Sequence, residues 1–160
     1  MSVEEELAVT MTVNGERVMR SIPVRQHLVD FLRTELGLTG SHIGCEHGIC
    51  GACSVRVDGA VVRGCLMLAV QTDGSDVVTI EGLTESGEVA DLQESFVERN
   101  ALQCGYCTSG MLMTAADLLK GGKSAARDDI RVFLSGNYCR CTGYQTIIDA
   151  VEATLKGRGL

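Results

Sequence analysis

The chain has 160 residues, 45% apolar and 22% charged, which marks a folded globular protein of one domain or two small ones. A net charge of −7 with no basic stripe excludes nucleic acid and anionic membrane surfaces as expected partners. Aromatics make up 4% and Trp is absent, so aliphatic side chains, Ala and Met must fill the core.

The start, Met1-Ser2-Val3-Glu4-Glu5-Glu6, has no basic n-region, no apolar h-region and no twin Arg, so no secretory signal is expected. No apolar run reaches the ~18–20 residues of a membrane span. A cytoplasmic protein is expected. Residues 7–13 alternate, with Leu7, Val9, Met11 and Val13 on one face, predicting a half-buried strand. Asn14-Gly15 then signals a type I′ turn, and Glu16 to Ile22 returns as the second strand. Between Arg25 and Leu36 the apolar positions Leu28, Phe31, Leu32 and Leu36 fall at helical spacing, with Gly37 as a stop. Residues 54–57 and 60–63 predict a second hairpin about Asp58-Gly59, and 66–70 and 77–81 predict two further strands.

At 82–89 the composition turns to Gly, Ser and Glu, which predicts a linker over 83–90 between units at 1–82 and 91–160. Beyond it the period changes from two to about 3.6. Helices are expected over 91–101, 109–119, 127–134 and 143–155. The second is apolar nearly all round, as a central buried helix should be. Thr142 and Gln145 have capping-box spacing, which would start the last helix near Gly143. The expected class is α+β: an antiparallel-rich sheet with one helix across it, followed by a small four-helix bundle.

Eight cysteines carry the chemistry. Cys45, Cys50 and Cys53 with the more distant Cys65 have the x4/x2 spacing of a plant-type [2Fe–2S] site. Gly44, Gly48 and Gly51 let the loop wrap a compact inorganic core. Structural zinc pairs its ligands in short knuckles, which this crowded triple suits poorly, and a disulfide scaffold needs an oxidising compartment. Cys104, Cys107, Cys139 and Cys141 form a second set. Cys-x2-Cys alone is compatible with zinc, redox thiols or iron–sulfur. Both Cys pairs precede predicted helices, whose N-termini favour an anionic site without choosing the metal. His27 and His42 read as structural or surface residues. His47, inside the first ligand loop, is a candidate for tuning a potential.

The stretches Gly44-Cys45 through Cys53, Cys65, Gln103-Cys104-Gly105-Tyr106-Cys107-Thr108 and Tyr138-Cys139-Arg140-Cys141-Thr142-Gly143-Tyr144 together resemble the small iron–sulfur subunits of the molybdenum hydroxylases, the xanthine oxidase-like enzymes. The resemblance spans nearly the whole chain. It implies a β-grasp, plant ferredoxin-like domain and a four-helix bundle, each holding one [2Fe–2S] cluster on four of the eight cysteines. It further implies a large partner subunit with a molybdenum–pterin cofactor and a medium one with FAD, in a single or doubled heterotrimer. Gln103 and Cys141 would approach the pterin. Electrons would pass from molybdenum to the Cys104/Cys107/Cys139/Cys141 cluster, then to the Cys45/Cys50/Cys53/Cys65 cluster, then to flavin. No general acid, base or nucleophile is expected in this chain, and its substrate lies in another polypeptide. One departure stands out: the family commonly has proline where this chain has Ser109. A free-standing two-cluster carrier and a redox-sensing Fe–S or zinc module are the alternative classes.

Overall fold

The computed structural model describes residues 5–122 and 124–160; the acidic start at 1–4 lies outside them. Strands β1 (Glu6–Val13) and β2 (Glu16–Pro23) form an antiparallel hairpin. Asn14 and Gly15 both take positive φ, 51° and 84°, as the expected type I′ turn requires. A second hairpin joins β3 (Ser54–Val57) to β4 (Ala60–Arg63) through Asp58 and Gly59. Strand β5 (Asp76–Val78) lies between the hairpins, parallel to β1 and antiparallel to β3, so the sheet order is β2-β1-β5-β3-β4. Helix α1 (Leu28–Thr34) lays Leu28, Phe31 and Leu32 on one sheet face, against Val9, Met11, Val55 and Val77. Each such apolar burial is worth about 1.5–3 kcal/mol.

Two predicted strands are corrected. Residues 66–70 form no strand: Leu66 is 62% exposed, Leu68 makes an isolated bridge to His27, and Ala69–Thr72 winds into a 3₁₀ turn. A five-residue apolar run does not reveal its period, and the Thr72 hydroxyl donating to the Ala69 carbonyl at 2.7 Å favours the turn. The strand expected over 77–81 stops at Val78. The Asn14 side chain accepts the Thr79 N–H at 2.8 Å, and helix α2 (Ile80–Glu85) begins immediately. Ile80 and Leu83 thereby turn into the second core. The Gly/Ser/Glu segment after it is compact rather than extended, because Leu83 and Val89 are buried.

Helices α3 (Ala90–Glu98), α4 (Thr108–Lys120), α5 (Arg127–Leu134) and α6 (Gln145–Gly157) build the C-terminal unit. The buried helix α4 supplies Met111, Met113 and Ala115 to the core, as its sequence requires. Helix α6 starts two residues later than expected. The Thr142–Gln145 capping box is not formed: Tyr144 precedes the helix at φ 70°, and Thr142 turns toward a cysteine instead. Ser109 lies in the first turn of α4, and its buried hydroxyl has no partner.

The sheet is tied to the segment that leads into the helical unit. Arg56 of β3 makes a bidentate pair with Glu88, at 2.7 and 3.0 Å. Its side chain is 7% exposed and that of Glu88 37%. Hydrogen bonding to Arg56 holds the Glu88 carboxyl below its ordinary range. Removing the carboxylate strands a buried guanidinium, but the exposed side of the pair is screened, so Glu88→Gln is expected to cost about 1–2 kcal/mol in urea unfolding. A depressed carboxyl stabilises above its unfolded pKa and stops doing so as pH falls through its folded value. The difference between parent and variant should thus be constant at neutral pH and shrink below about pH 4.3. An unchanged difference at acid pH would remove the pair as its cause.

Candidate iron–sulfur sites

The first four cysteines sit on the irregular segment between α1 and β3 and on the turn after β4. The His42 N–H donates to the Ala52 carbonyl at 3.0 Å and closes the base of this loop. Gly48 and Gly51 adopt φ of 82° and 75°, which other residues rarely take. Gly44 serves differently: a Cβ there would stand 2.9 Å from Cys50 Sγ. Cys53 and Cys65 are buried, at 1% and 3% exposure, while Cys45 and Cys50 are half-buried.

The second four sit at the N-terminus of α4 and on the loop before α6. Cys107 is the residue preceding α4. Cys139 and Cys141 lie on a loop, a few residues short of their helix. Cys104 and Cys141 are exposed, with their Sγ atoms 3.5 Å apart. The Gln103 amide donates to the Cys141 carbonyl at 3.1 Å, so the two residues expected near the pterin are neighbours on the surface.

The thiols come in twos. Cys45 contacts Cys50, Cys53 contacts Cys65, Cys104 contacts Cys141 and Cys107 contacts Cys139. None of these contacts crosses between the quartets. Among the described residues no three His, Cys, Asp or Glu side chains are arranged around one ion. Two pairs per quartet instead match a binuclear core with two thiolates per iron, so the residues present fit the group.

The electrostatics within each quartet are uneven. Burial raises the Cys45 thiol, but the N–H groups of Cys50, His47 and Ile49 outweigh it and bring the thiol to about 6. The Cys50 N–H lies 3.3 Å from Cys45 Sγ. Burial pushes Cys53 up to about 11 and Cys107 up to about 12, with neighbouring thiols adding to both. Contact with Cys104 raises Cys141. Cys139 is raised by burial but lowered further by the Thr142 hydroxyl and N–H, which donate to its Sγ at 3.2 and 3.4 Å. Gathering such thiolates is costly without a bound cation, and a metal core that deprotonates them removes that cost.

Thr142 is the residue that sequence reasoning misplaced: its spacing to Gln145 suggested a helix cap, and no pattern marked it as a sulfur donor. Asn137, buried between the quartets, carried no sequence signal at all. His47 touches the Cys45 carbonyl with an exposed ring, His42 stacks on Tyr106 at 4.5 Å, and His27 precedes α1 at the surface. Arg140 is exposed.

Residues 11–79 match the 2Fe-2S iron-sulfur cluster binding domain family, and residues 79–152 match the [2Fe-2S] binding domain family. The caffeine dehydrogenase subunit gamma of Pseudomonas sp. (strain CBB1) is 48% identical over 148 residues, which cover 91% of this chain and 89% of that subunit. The nicotine 6-hydroxylase small subunit of Paenarthrobacter nicotinovorans is 47% identical, covering 94% of this chain and 90% of that subunit. A chain of quinoline 2-oxidoreductase from Pseudomonas putida 86 superposes with a TM-score of 0.90 at 46% identity, over 96% of both chains.

The chain belongs to the small [2Fe–2S] subunits of the molybdenum hydroxylases. As a member of that family it acts in electron transfer within a multi-subunit oxidoreductase. Each of the two matched [2Fe–2S]-binding regions contains four of the eight cysteines, Cys45, Cys50, Cys53 and Cys65 in the first and Cys104, Cys107, Cys139 and Cys141 in the second. No helix among the described residues is long and apolar enough to cross a membrane.

Proposed function

We propose that this subunit relays single electrons from a molybdenum–pterin site on a large partner to FAD on a medium partner. Cys104, Cys107, Cys139 and Cys141 hold the cluster that receives them, and Cys45, Cys50, Cys53 and Cys65 hold the one that passes them on. Residues 1–82 and 91–160 form the two cluster-holding units, with 83–90 between them. The observation that carries this reading is the difference in exposure between the quartets. Cys104 and Cys141 reach the surface beside Gln103, where a pterin could approach, whereas Cys53 and Cys65 are enclosed.

Each [2Fe–2S] core accepts one electron when bound. The residues here fix its position, keep water from its buried thiolates and donate N–H and O–H groups to sulfur, which sets the potential. Oxidation of caffeine, nicotine or quinoline belongs to the relatives named; this holoenzyme draws its substrate from the same broad class of small organic molecules. Eight cysteines read as cluster ligands rather than disulfides support a reducing compartment, the cytoplasm. The partners assemble as a heterotrimer or a doubled heterotrimer.

Anaerobic purification with native companions tests the proposal. The expected outcome is a complex with a native mass far above 17.0 kDa and about four irons per small subunit. A lone chain with both clusters would instead be a free carrier. A colourless chain without iron or acid-labile sulfide would be a zinc module.

A further inference from the structure

The two ligand loops touch, and the contact is braced. The Cys50 carbonyl accepts the Tyr138 N–H at 2.8 Å. Sγ of Cys50 is therefore linked to Sγ of Cys139 through the Cys50 backbone, one hydrogen bond, and the Tyr138–Cys139 backbone. One residue to either side, Asn137 faces Gly51. The Asn137 amide nitrogen donates to the Gly51 carbonyl at 3.3 Å, and the Ser54 hydroxyl donates to the same oxygen at 2.6 Å. On its other side, the Asn137 amide oxygen accepts from the Thr114 hydroxyl at 3.0 Å and faces the Arg63 guanidinium at 3.4 Å. Arg63 also donates to the Gly136 carbonyl at 2.8 Å and to the Ser54 hydroxyl, which closes the ring.

This ring lies in the interior: Asn137 and Ser54 are each 2% exposed and Thr114 8%. Buried polar groups are costly unless paired, and a satisfied network fixes one geometry where an apolar patch would tolerate several. Asparagine suits the position because one short side chain supplies a donor to the sheet side and an acceptor to the helix side. A separate hydrogen bond between the two loops, from the Tyr106 hydroxyl to the Ile43 carbonyl at 2.7 Å, runs through a 47% exposed side chain and meets the first loop two residues before Cys45.

We propose that Asn137 is a positioning residue for electron passage, holding the Cys50 carbonyl on the Tyr138 amide so that this hydrogen bond is the route between the two clusters. The inference rests on the two-cluster reading above. The step is a bare electron transfer: one cluster is oxidised by one electron, the other is reduced by one, no bond forms and no proton moves. Substrate oxidation on the large partner supplies the electron in the complex, and a viologen radical supplies it in the test.

In the native complex, a sub-stoichiometric pulse of methyl viologen radical followed by freeze-quenching lets the two EPR signals report how fast the electron redistributes. Asn137→Ala should slow redistribution roughly tenfold, the low end for losing an outer-shell partner, with iron content and both midpoint potentials unchanged. Thr114→Val, which keeps Asn137 but leaves its oxygen only the Arg63 guanidinium, should slow it in the same direction by less. Tyr106→Phe should keep the parent rate. Parent rates in Asn137→Ala overturn the proposal, as does equal slowing in Tyr106→Phe. If Asn137→Ala fails to assemble both clusters, Thr114→Val decides, and a parent rate there overturns it as well. A parent protein lacking two distinct signals defeats the two-cluster reading itself, before any variant is made.

Discussion

Replacing Cys107 with Ala is expected to abolish one EPR-active cluster and leave the other, with iron falling from about four to about two per chain. The thiol lies against Cys139 and is further influenced by Cys104, all within the second quartet. Its position at the head of α4 is backbone-defined, since the Met111 N–H still bonds to the residue-107 carbonyl at 2.9 Å whatever side chain is present. The helix should therefore survive and present three remaining thiols, too few for a binuclear core. The surviving cluster should keep its own spectrum, shifted slightly because Tyr138 contacts Cys50 across the seam. Low-temperature EPR with iron analysis decides the matter. Disappearance of both signals in a chain that keeps its circular dichroism would mean that the quartets are not independent sites.

Gly110→Ala should destabilise the protein although alanine is the better helix former. Propensity favours the variant by about 1 kcal/mol. Against that, a Cβ at Gly110 would drive into the Gly51 carbonyl oxygen and stand 3.0 Å from the Gly51 carbonyl carbon and 3.2 Å from Ala52 Cα. These are backbone atoms of the ligand loop, which cannot rotate away as a side-chain tip would. Overpacking costs about 1–3 kcal/mol, and a backbone obstacle belongs at the upper end. The net expectation is a loss of about 2 kcal/mol and a melting temperature lower by about 4–8 °C in the cluster-loaded chain. A melting temperature equal to or above the parent's would show that α4 can slide away from the loop at little cost.

Much of this architecture was legible because its signals are local and strong. Asn14-Gly15 and Asp58-Gly59 fixed both hairpins, since positive φ at two successive positions is demanded by the turn itself. The apolar circumference of 111–119 announced a buried helix, and the x4/x2 cysteine spacing pointed to the first candidate site, whereas the second set was ambiguous by spacing alone. What stayed hidden depends on distant partners. The side chain of Asn14 ends β5 by accepting from Thr79, a pairing across the fold that no window around residue 79 contains. Gly51 is a related case. The sequence suggests that it makes room for an inorganic core, but a Cβ there would stand 2.6 Å from the Asn137 amide nitrogen and 2.9 Å from the Gly136 carbonyl. Its lack of a side chain admits the other unit, and only the assembled chain discloses that.

The placement of β5 has a bearing on biosynthesis. The middle strand of the sheet is the last of the five to leave the ribosome, so each hairpin emerges with an unpaired edge until residues 76–78 arrive to join them. Helix α3 waits longer still, because the Ser95 hydroxyl and its apolar neighbours dock on α6, some fifty residues further along the chain. Folding during synthesis would therefore proceed from the sheet outward, with the segment carrying Cys139 and Cys141 emerging after the residues around Cys53 and Cys65. A nascent chain stalled before residue 145 should hold a finished sheet beside an exposed, methionine-rich α4, the form that a chaperone would meet.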